Sequence, residues 1–460
     1  MNAALATVGL VNRPPSTHRI ASARPAFAAF AKRLCREACE LLTCCTMRNS
    51  FRGNDMRNRT SIFCLAAVTV LLLGCQPKGE NAGGGTASGG NEILIGEYGS
   101  LTGPQATFGQ STHNGIMMAI DEINAKGGVG GRKLKVLTED DQSKQEEAAN
   151  AVTKLISQNN VVAVLGEVAS SASIAAAPIC QSNKVPMISP SSTNPQVTQK
   201  GDYIFRMCFT DDYQGHSMGD YVSKALGVKR AAILTDVKSD YSQGLGHFFE
   251  ERFTQLGGKI VGRASYANGD SDFKAQLTSV KATNPQILFV PGYYTDIGQI
   301  AIQARDLGIS APLVGGDGWE SPKLIEIGGK SLEGSFYSNH YFYGDPNPIV
   351  RDFVQKYKDR YGQTPDALAA LGYDSAKVLA DAIRRAGKTD GPAIRDAIAA
   401  TKGLEAVTGT INMGPDRNPV GKKLVIEEIK NGQLVLKAPF EPQGSAPAAP
   451  TGTAATTSTH

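Results

Sequence analysis

Between Ile93 and Gly315, short apolar runs rich in branched residues alternate with amphipathic stretches. The run Val161-Val162-Ala163-Val164-Leu165-Gly166 is apolar without alternation, the mark of a strand covered on both faces. Strands are expected at Ile93–Gly96, Lys133–Thr138, Val161–Leu165, Val185–Ser189, Ala231–Thr235, Ile260–Ser265, Ile287–Val290 and Pro312–Gly315. Helices are expected at Thr112–Ala125, Gln145–Ser157, Ser171–Ser182, Gln243–Leu256, Phe273–Ala282 and Asp296–Leu307. Strand-helix units of about 25–35 residues imply right-handed crossovers, parallel sheets and helices on both faces. One sheet does not comfortably hold so many units. With a break at Thr210-Asp211-Asp212, the pattern predicts an α/β protein of two doubly wound lobes.

The chain has 460 residues and a formal charge of +4. The excess is local. Residues 1–74 carry ten Lys/Arg and three acids, leaving 37 basic and 40 acidic side chains beyond them. A mildly acidic body makes nucleic acid a poor partner.

The N-terminus reads as an address. Met56-Arg57-Asn58-Arg59 is basic, Ser61 to Leu73 is an apolar run too short to span a bilayer, and Leu72-Leu73-Gly74-Cys75 closes it. That ending resembles a bacterial lipobox, which implies cleavage after Gly74 and lipidation of Cys75, leaving residues 56–74 as a lipoprotein signal peptide. Two or three acyl chains would anchor the protein stably. Residues 1–55 lack periodicity and are expected to be a non-physiological extension, with the start at Met47 or Met56. Residues 75–91 form a Gly/Ser-rich tether, and residues 440–460 a disordered Ala/Pro/Thr/Ser tail. Past Cys75, two cysteines remain, Cys180 and Cys208. In an exported chain they form either one disulfide or two separate buried thiols.

Ligands of such folds bind beyond the carboxyl ends of the strands. Two ends in the first half are rich in hydroxyls: Gly166-Glu167-Val168-Ala169-Ser170-Ser171 and Ser189-Pro190-Ser191-Ser192-Thr193-Asn194. Ser170 or Ser171 suits a helix N-cap, and a helix start with hydroxyls nearby suits a carboxylate. In the second half, Pro291-Gly292-Tyr293-Tyr294 and Gly315-Gly316-Asp317-Gly318-Trp319 offer rings and one acid. Hydroxyls facing an acid across a cleft suit a zwitterion. Each residue alone also suits a turn or a packed loop.

These stretches, with Gly96-Glu97-Tyr98-Gly99-Ser100-Leu101-Thr102-Gly103-Pro104, Asp121-Glu122-Ile123-Asn124-Ala125-Lys126-Gly127-Gly128, Tyr203-Ile204-Phe205-Arg206 and Asp240-Tyr241-Ser242-Gln243-Gly244, resemble the periplasmic branched-chain amino-acid-binding proteins of ABC importers, the leucine/isoleucine/valine type. The resemblance implies a type I periplasmic binding protein fold whose lobes are joined by a three-crossover hinge. Lobe 1 would comprise 92–211 and 340–408, and lobe 2 would comprise 212–339 and 409–439. The crossings would lie near Asp211, Asn339-His340 and Gly409. Ser170 would bind the α-carboxylate beside Val168 and Ala169. Thr193 with Ser191 would hold the head group. Asp317, where the family has Glu, would pair with the ammonium. Phe108, where the family often has Tyr, would line the side-chain pocket, and Tyr241 and Tyr293 would close it. Trp319 is added as a ligand contact from its spacing to Asp317.

The resemblance further implies a monomeric, periplasmic, lipid-anchored protein that captures a small amino acid for an ABC permease. It would be no enzyme and use no cofactor. The alternative is a sensor module of the same fold for amides or other small polar ligands. Gly128-Val129-Gly130-Gly131 follows a helix instead of opening one, so it is a turn and not a phosphate loop. Asn268-Gly269-Asp270-Ser271-Asp272 lacks the distal Glu of a calcium loop. The histidines, His340 among them, show no metal spacing and read as surface or core residues.

Overall fold

Two sheets organise the chain, each with its own pair of cores. The structure, a computed structural model, describes residues 92–440. Cys75, the extension, the signal segment, the tether and residues 441–460 lie outside the described residues.

The first sheet contains β1 (Glu92–Gly99), β2 (Lys133–Asp140), β3 (Ala163–Leu165), β4 (Met187–Ser189) and β5 (Ile204–Arg206). All run parallel, in the order β2-β1-β3-β4-β5. In β3, Ala163 and Leu165 enter one core and Val164 the opposite one. That alternation explains the unbroken apolar run, because both faces are covered.

The second sheet contains β6 (Arg230–Asp236), β7 (Lys259–Tyr266), β8 (Ile287–Phe289), β9 (Leu313–Gly315), β10 (Phe336–Asn339), β11 (Leu424–Lys430) and β12 (Gln433–Phe440), in the order β12-β11-β10-β9-β8-β6-β7. The strands β6 to β10 are parallel, but β11 and β12 are antiparallel. Strand β11 runs against both β10 and β12, and the β11–β12 pairing follows from a hairpin at Asn431-Gly432, where both residues take positive φ. A two-residue turn of that kind joins antiparallel strands directly.

Helices cover the sheets. In the first lobe α1 (Ala106–Ala125), α2 (Gln145–Ser157) and α3 (Ser170–Ser182) precede the short α4 (Gln196–Gln199). In the second lobe come α5 (Asp211–Asp220), α6 (Asp240–Gln255), α7 (Lys274–Ala282), α8 (Tyr294–Asp306) and α9 (Pro322–Gly328). The chain then returns to the first lobe with α10 (Pro348–Tyr361), α11 (Ala367–Ala386) and α12 (Gly391–Ala399). Helices α1 and α11 cross closely. A Cβ on Gly115 would fall 2.0 Å from the Ala369 carbonyl oxygen, and one on Gly372 would fall 2.5 Å from that of Thr112.

The first crossing lies between Cys208, in the first lobe's core, and Phe209, in the second's. The second follows Asn339, since Tyr341 already packs in the first lobe. The third does not fall at Gly409. Ile411 and Met413 belong to the first lobe's core, and the Arg417 guanidinium donates to the Thr198 carbonyl at 2.8 Å. The chain enters the second lobe near Leu424.

Cys180 and Cys208 are separate, free and buried. They sit in cores on opposite faces of the first sheet, which excludes the disulfide. Burial pushes both thiols up to about 12.

Candidate ligand-binding site

The carboxyl ends of β3 and β4 face those of β8 and β9 across a narrow interlobe cavity. Ser170, Ser191 and Thr193 line one side. Tyr241, Tyr293, Asp317 and Gly318 line the other, and Phe108, Val168 and Leu368 add apolar wall.

The hydroxyl side is built by two loops that lock together. Ser170 is the first residue of α3 and Ala169 takes the N-cap position, so neither Ser170 nor Ser171 caps the helix. The Ser170 hydroxyl instead accepts the Asn194 N–H at 3.2 Å, which leaves its O–H free to donate to a ligand. Ser191 Oγ is buried and, among the described residues, has no hydrogen-bond partner. A buried polar atom left unpaired costs free energy, so a ligand atom there is favoured. The Thr193 carbonyl accepts the Asp211 N–H at 2.9 Å, tying this loop to the first crossing.

Glu167 organises the ground beneath. Its Oε1 accepts the Ser100 N–H and hydroxyl, each at 3.2 Å, and its Oε2 takes the Ala169 N–H. The Ser100 hydroxyl also lies 2.9 Å from Asp141 Oδ1. Burial, then the Asp141 charge, raises Glu167 to about 8, and burial raises Asp141 to about 6. Glu167 therefore holds a proton near neutrality and adds little negative charge beneath the hydroxyl side of the cavity. Ala169 itself does not line the cavity; its N–H is spent on Glu167.

The acidic side is also held from behind. Asp317 Oδ1 accepts from Gln214 Nε2 at 2.8 Å, and Oδ2 lies 3.0 Å from His340 Nε2. His340 stacks on Phe209 at 3.8 Å between centroids, and burial lowers its basicity below the usual imidazole range. A neutral ring donating through Nε2 fits both facts. The Tyr241 hydroxyl accepts the Gly318 N–H at 3.0 Å. Tyr241 stacks on Tyr293 at 5.4 Å, and Phe108 meets Tyr293 edge-on at 5.6 Å. These rings make an apolar wall, and burial raises both tyrosine hydroxyls well above their usual range.

Trp319 does not reach the cavity. Its ring is wholly buried in the second lobe's core, and its Nε1 donates to the Val290 carbonyl at 3.0 Å. Two residues past Asp317, a short 3-10 turn (Asp317–Trp319) carries the ring to the opposite side. Sequence reasoning missed Gly318, Leu368, Gln214 and His340. Gly318 lies within the Gly315–Trp319 motif and His340 at an expected crossing, while Gln214 and Leu368 belong to no motif.

Across the cleft the lobes touch. The Ser171 hydroxyl donates to Asp240 Oδ2 at 2.7 Å and accepts the Asp240 N–H at 2.9 Å. Asn194 Nδ2 donates to the Asp240 carbonyl at 2.8 Å, and the Thr107 and Ser321 hydroxyls lie 3.0 Å apart. The lobes are thus in the closed arrangement. Among the described residues no group of three or more His, Cys, Asp or Glu is arranged to hold a metal ion.

The sequence profile of the periplasmic binding protein family matches residues 92–433. A Leu/Ile/Val-binding protein homolog from Brucella melitensis biotype 1 is 30% identical over 322 residues, covering 70% of this chain and 86% of that protein. A leucine binding protein, LivK, from Thermotoga maritima has 41% identity and a TM-score of 0.73, over 76% of this chain and 99% of its own. The branched-chain amino acid transporter substrate binding protein LivJ from Streptococcus pneumoniae, solved with isoleucine, has 34% identity and a TM-score of 0.71, over 75% and 97%. With its two doubly wound lobes and its interlobe cavity, this chain belongs to the periplasmic binding protein family.

Proposed function

We propose that the interlobe cavity takes one small amino acid, with branched-chain side chains fitting best. The chain is a solute-binding protein of an ABC importer and acts outside the cytoplasm; it is not an enzyme. The sensor alternative has less support, because the relatives are transporter subunits.

One observation carries the ligand reading. Unspent hydroxyls of Ser170 and Ser191 lie on one lobe and the Asp317 carboxylate on the other, with Phe108, Val168, Leu368 and two tyrosine rings between. A carboxylate suits the first group, an ammonium the second, and an aliphatic side chain the wall. The ligand touches both lobes only when they are shut, so binding draws the population toward the closed form. That closed form is what a permease would dock.

Lipidation at Cys75, anchoring to a bacterial membrane and a monomeric state complete the proposal. They rest on the Leu72-Leu73-Gly74-Cys75 sequence and on the single binding body. A thermal-shift screen with the twenty amino acids tests the ligand. Leucine, isoleucine or valine at 100 times its dissociation constant should stabilise by about 2.7 kcal/mol. No shift with any amino acid would refute the reading. Palmitate labelling lost in Cys75→Ser tests the anchor, and labelling that persists rejects it.

A further inference from the structure

Glu320 follows the short turn that carries Asp317, and its N–H closes that turn on the Asp317 carbonyl at 3.0 Å. Its carboxyl reaches three other places. Oε1 accepts the N–H of Ala367, the first residue of α11 in the opposite lobe, at 3.2 Å. Oε2 accepts the Tyr337 hydroxyl at 2.8 Å and the Asn339 amide at 2.7 Å. The same Asn339 Nδ2 lies 2.8 Å from Glu427 Oε2 on β11. Glu320, Tyr337, Asn339, Ala367 and Glu427 are all buried. Asn339 is the last residue before the second crossing, and Leu368, next to Ala367, lines the cavity.

We infer that Glu320 is the positioning residue of the closed form: its carboxyl clamps the start of α11 and with it Leu368 over the bound ligand. This rests on the cavity being the amino-acid site. The geometry alone sets up the coupling, because one side chain joins the ligand-facing turn, the hinge and the far lobe.

The charge balance favours one proton on the Glu320 and Glu427 pair in the closed form. The charged groups facing Glu320 are acids: Glu427 on β11 and Asp366 ahead of α11. Tyr337 on β10 and Tyr341 beyond the crossing face the same region, and His340 is engaged by Asp317. Burial, then Glu427 and Asp366, hold the Glu320 carboxyl well above the usual range; burial raises Glu427 to about 7. Two buried carboxylates on one amide do not both keep a charge cheaply. Opening pulls Ala367 away and lets water reach Glu320, so the open form releases the proton. The closed form then binds more protons than the open one. Ligand affinity rises as pH falls through neutrality and declines as pH rises, by at most about tenfold per pH unit for one linked proton.

Calorimetric titration with L-leucine, in buffers of different ionisation heat and from about pH 6 to about pH 8.5, reads both quantities. The expected result is proton uptake on binding and a dissociation constant that grows with pH. Glu320→Gln and Glu427→Gln should each flatten the slope and reduce the uptake; if one does not fold, the other carries the test. Ala367→Pro removes the accepted N–H at a first helical position where proline fits, and should weaken leucine several-fold. Binding without proton uptake and with a flat profile overturns the inference, as does a folded Glu320→Gln protein with an undiminished slope or an Ala367→Pro protein with unchanged affinity. Failure of the wild-type protein to bind leucine at any pH instead overturns the ligand reading, and this inference with it.

Discussion

His340 Nε2 stands 3.0 Å from Asp317 Oδ2, so a residue at the second crossing holds the acid that lines the cavity. The cavity's acid and the hinge geometry therefore meet at one contact. Asp317→Ala should cost about 2–5 kcal/mol of amino-acid binding, because it strips a buried counter-charge. His340→Ala removes an orienting hydrogen bond and should cost about 1 kcal/mol. Asp270, whose carboxylate only closes a turn on the Ala267 N–H, should be neutral to replace. Equal losses for Asp317→Ala and Asp270→Ala, measured by calorimetry, would remove Asp317 from the site.

Much of this is legible in the sequence. Strand ends β3, β4, β8 and β9 were marked by apolar runs that stop at Gly, Ser or Pro, and such punctuation is local. Phe108, Ser170 and Asp317 followed from the family resemblance and do line the cavity. Residues that support the site from a distance were not legible. Gln214, His340 and Leu368 lie far from Asp317 or Ser170 in sequence and reach them through hinge crossings, which no local pattern encodes. Trp319 failed for the opposite reason. Spacing put it beside Asp317, but a 3-10 turn rotates side chains by about a third of a circle per residue, and this one sent the ring into the core. The third crossing was misplaced because residues 411–419 carry no strong period, while their packing on the first lobe is tertiary.

Ser170 and Thr193 should act as a pair. Each hydroxyl offered to a carboxylate contributes about 1.5–3 kcal/mol, the range for hydrogen bonds to charged groups. Ser170→Ala with Thr193→Ala should therefore abolish measurable binding at millimolar leucine while leaving the fold intact. Circular dichroism checks the fold and calorimetry the binding. Unchanged affinity in the folded double variant would show that the carboxylate binds elsewhere.

Gly318 has no room for a side chain. A Cβ there would lie 2.6 Å from the Gly292 carbonyl oxygen and 2.9 Å from Tyr241 Cε1. Gly318→Ala must push the Tyr241 ring off its stack with Tyr293, at an overpacking cost of about 1–3 kcal/mol. Because that stack walls the cavity, leucine affinity should fall at least as much as unfolding stability. A variant destabilised in urea but with wild-type affinity would show that the ring stack does not shape the site.

Stability should fall as pH rises through neutrality. Burial raises Asp296 to about 7, with Asp236 adding to it, and raises Glu167 to about 8. In the unfolded chain both titrate near about 4, so between that value and their native ones the folded protein holds the extra protons. Stability then declines with pH across the window, by the linkage between bound protons and unfolding. His340 opposes this on the acid side, since burial lowers its native value and unfolding takes up a proton below about pH 6.5. The melting temperature should consequently drop between about pH 6.5 and about pH 8. Asp296 Oδ2 accepts from Asn268 Nδ2 at 3.0 Å and the residue does not line the ligand cavity, which makes Asp296→Asn a suitable probe. That variant should show a shallower decline than wild type. A melting temperature that climbs over the same interval would mean these carboxyls are ionised in the folded protein, against the burial that the structure gives them.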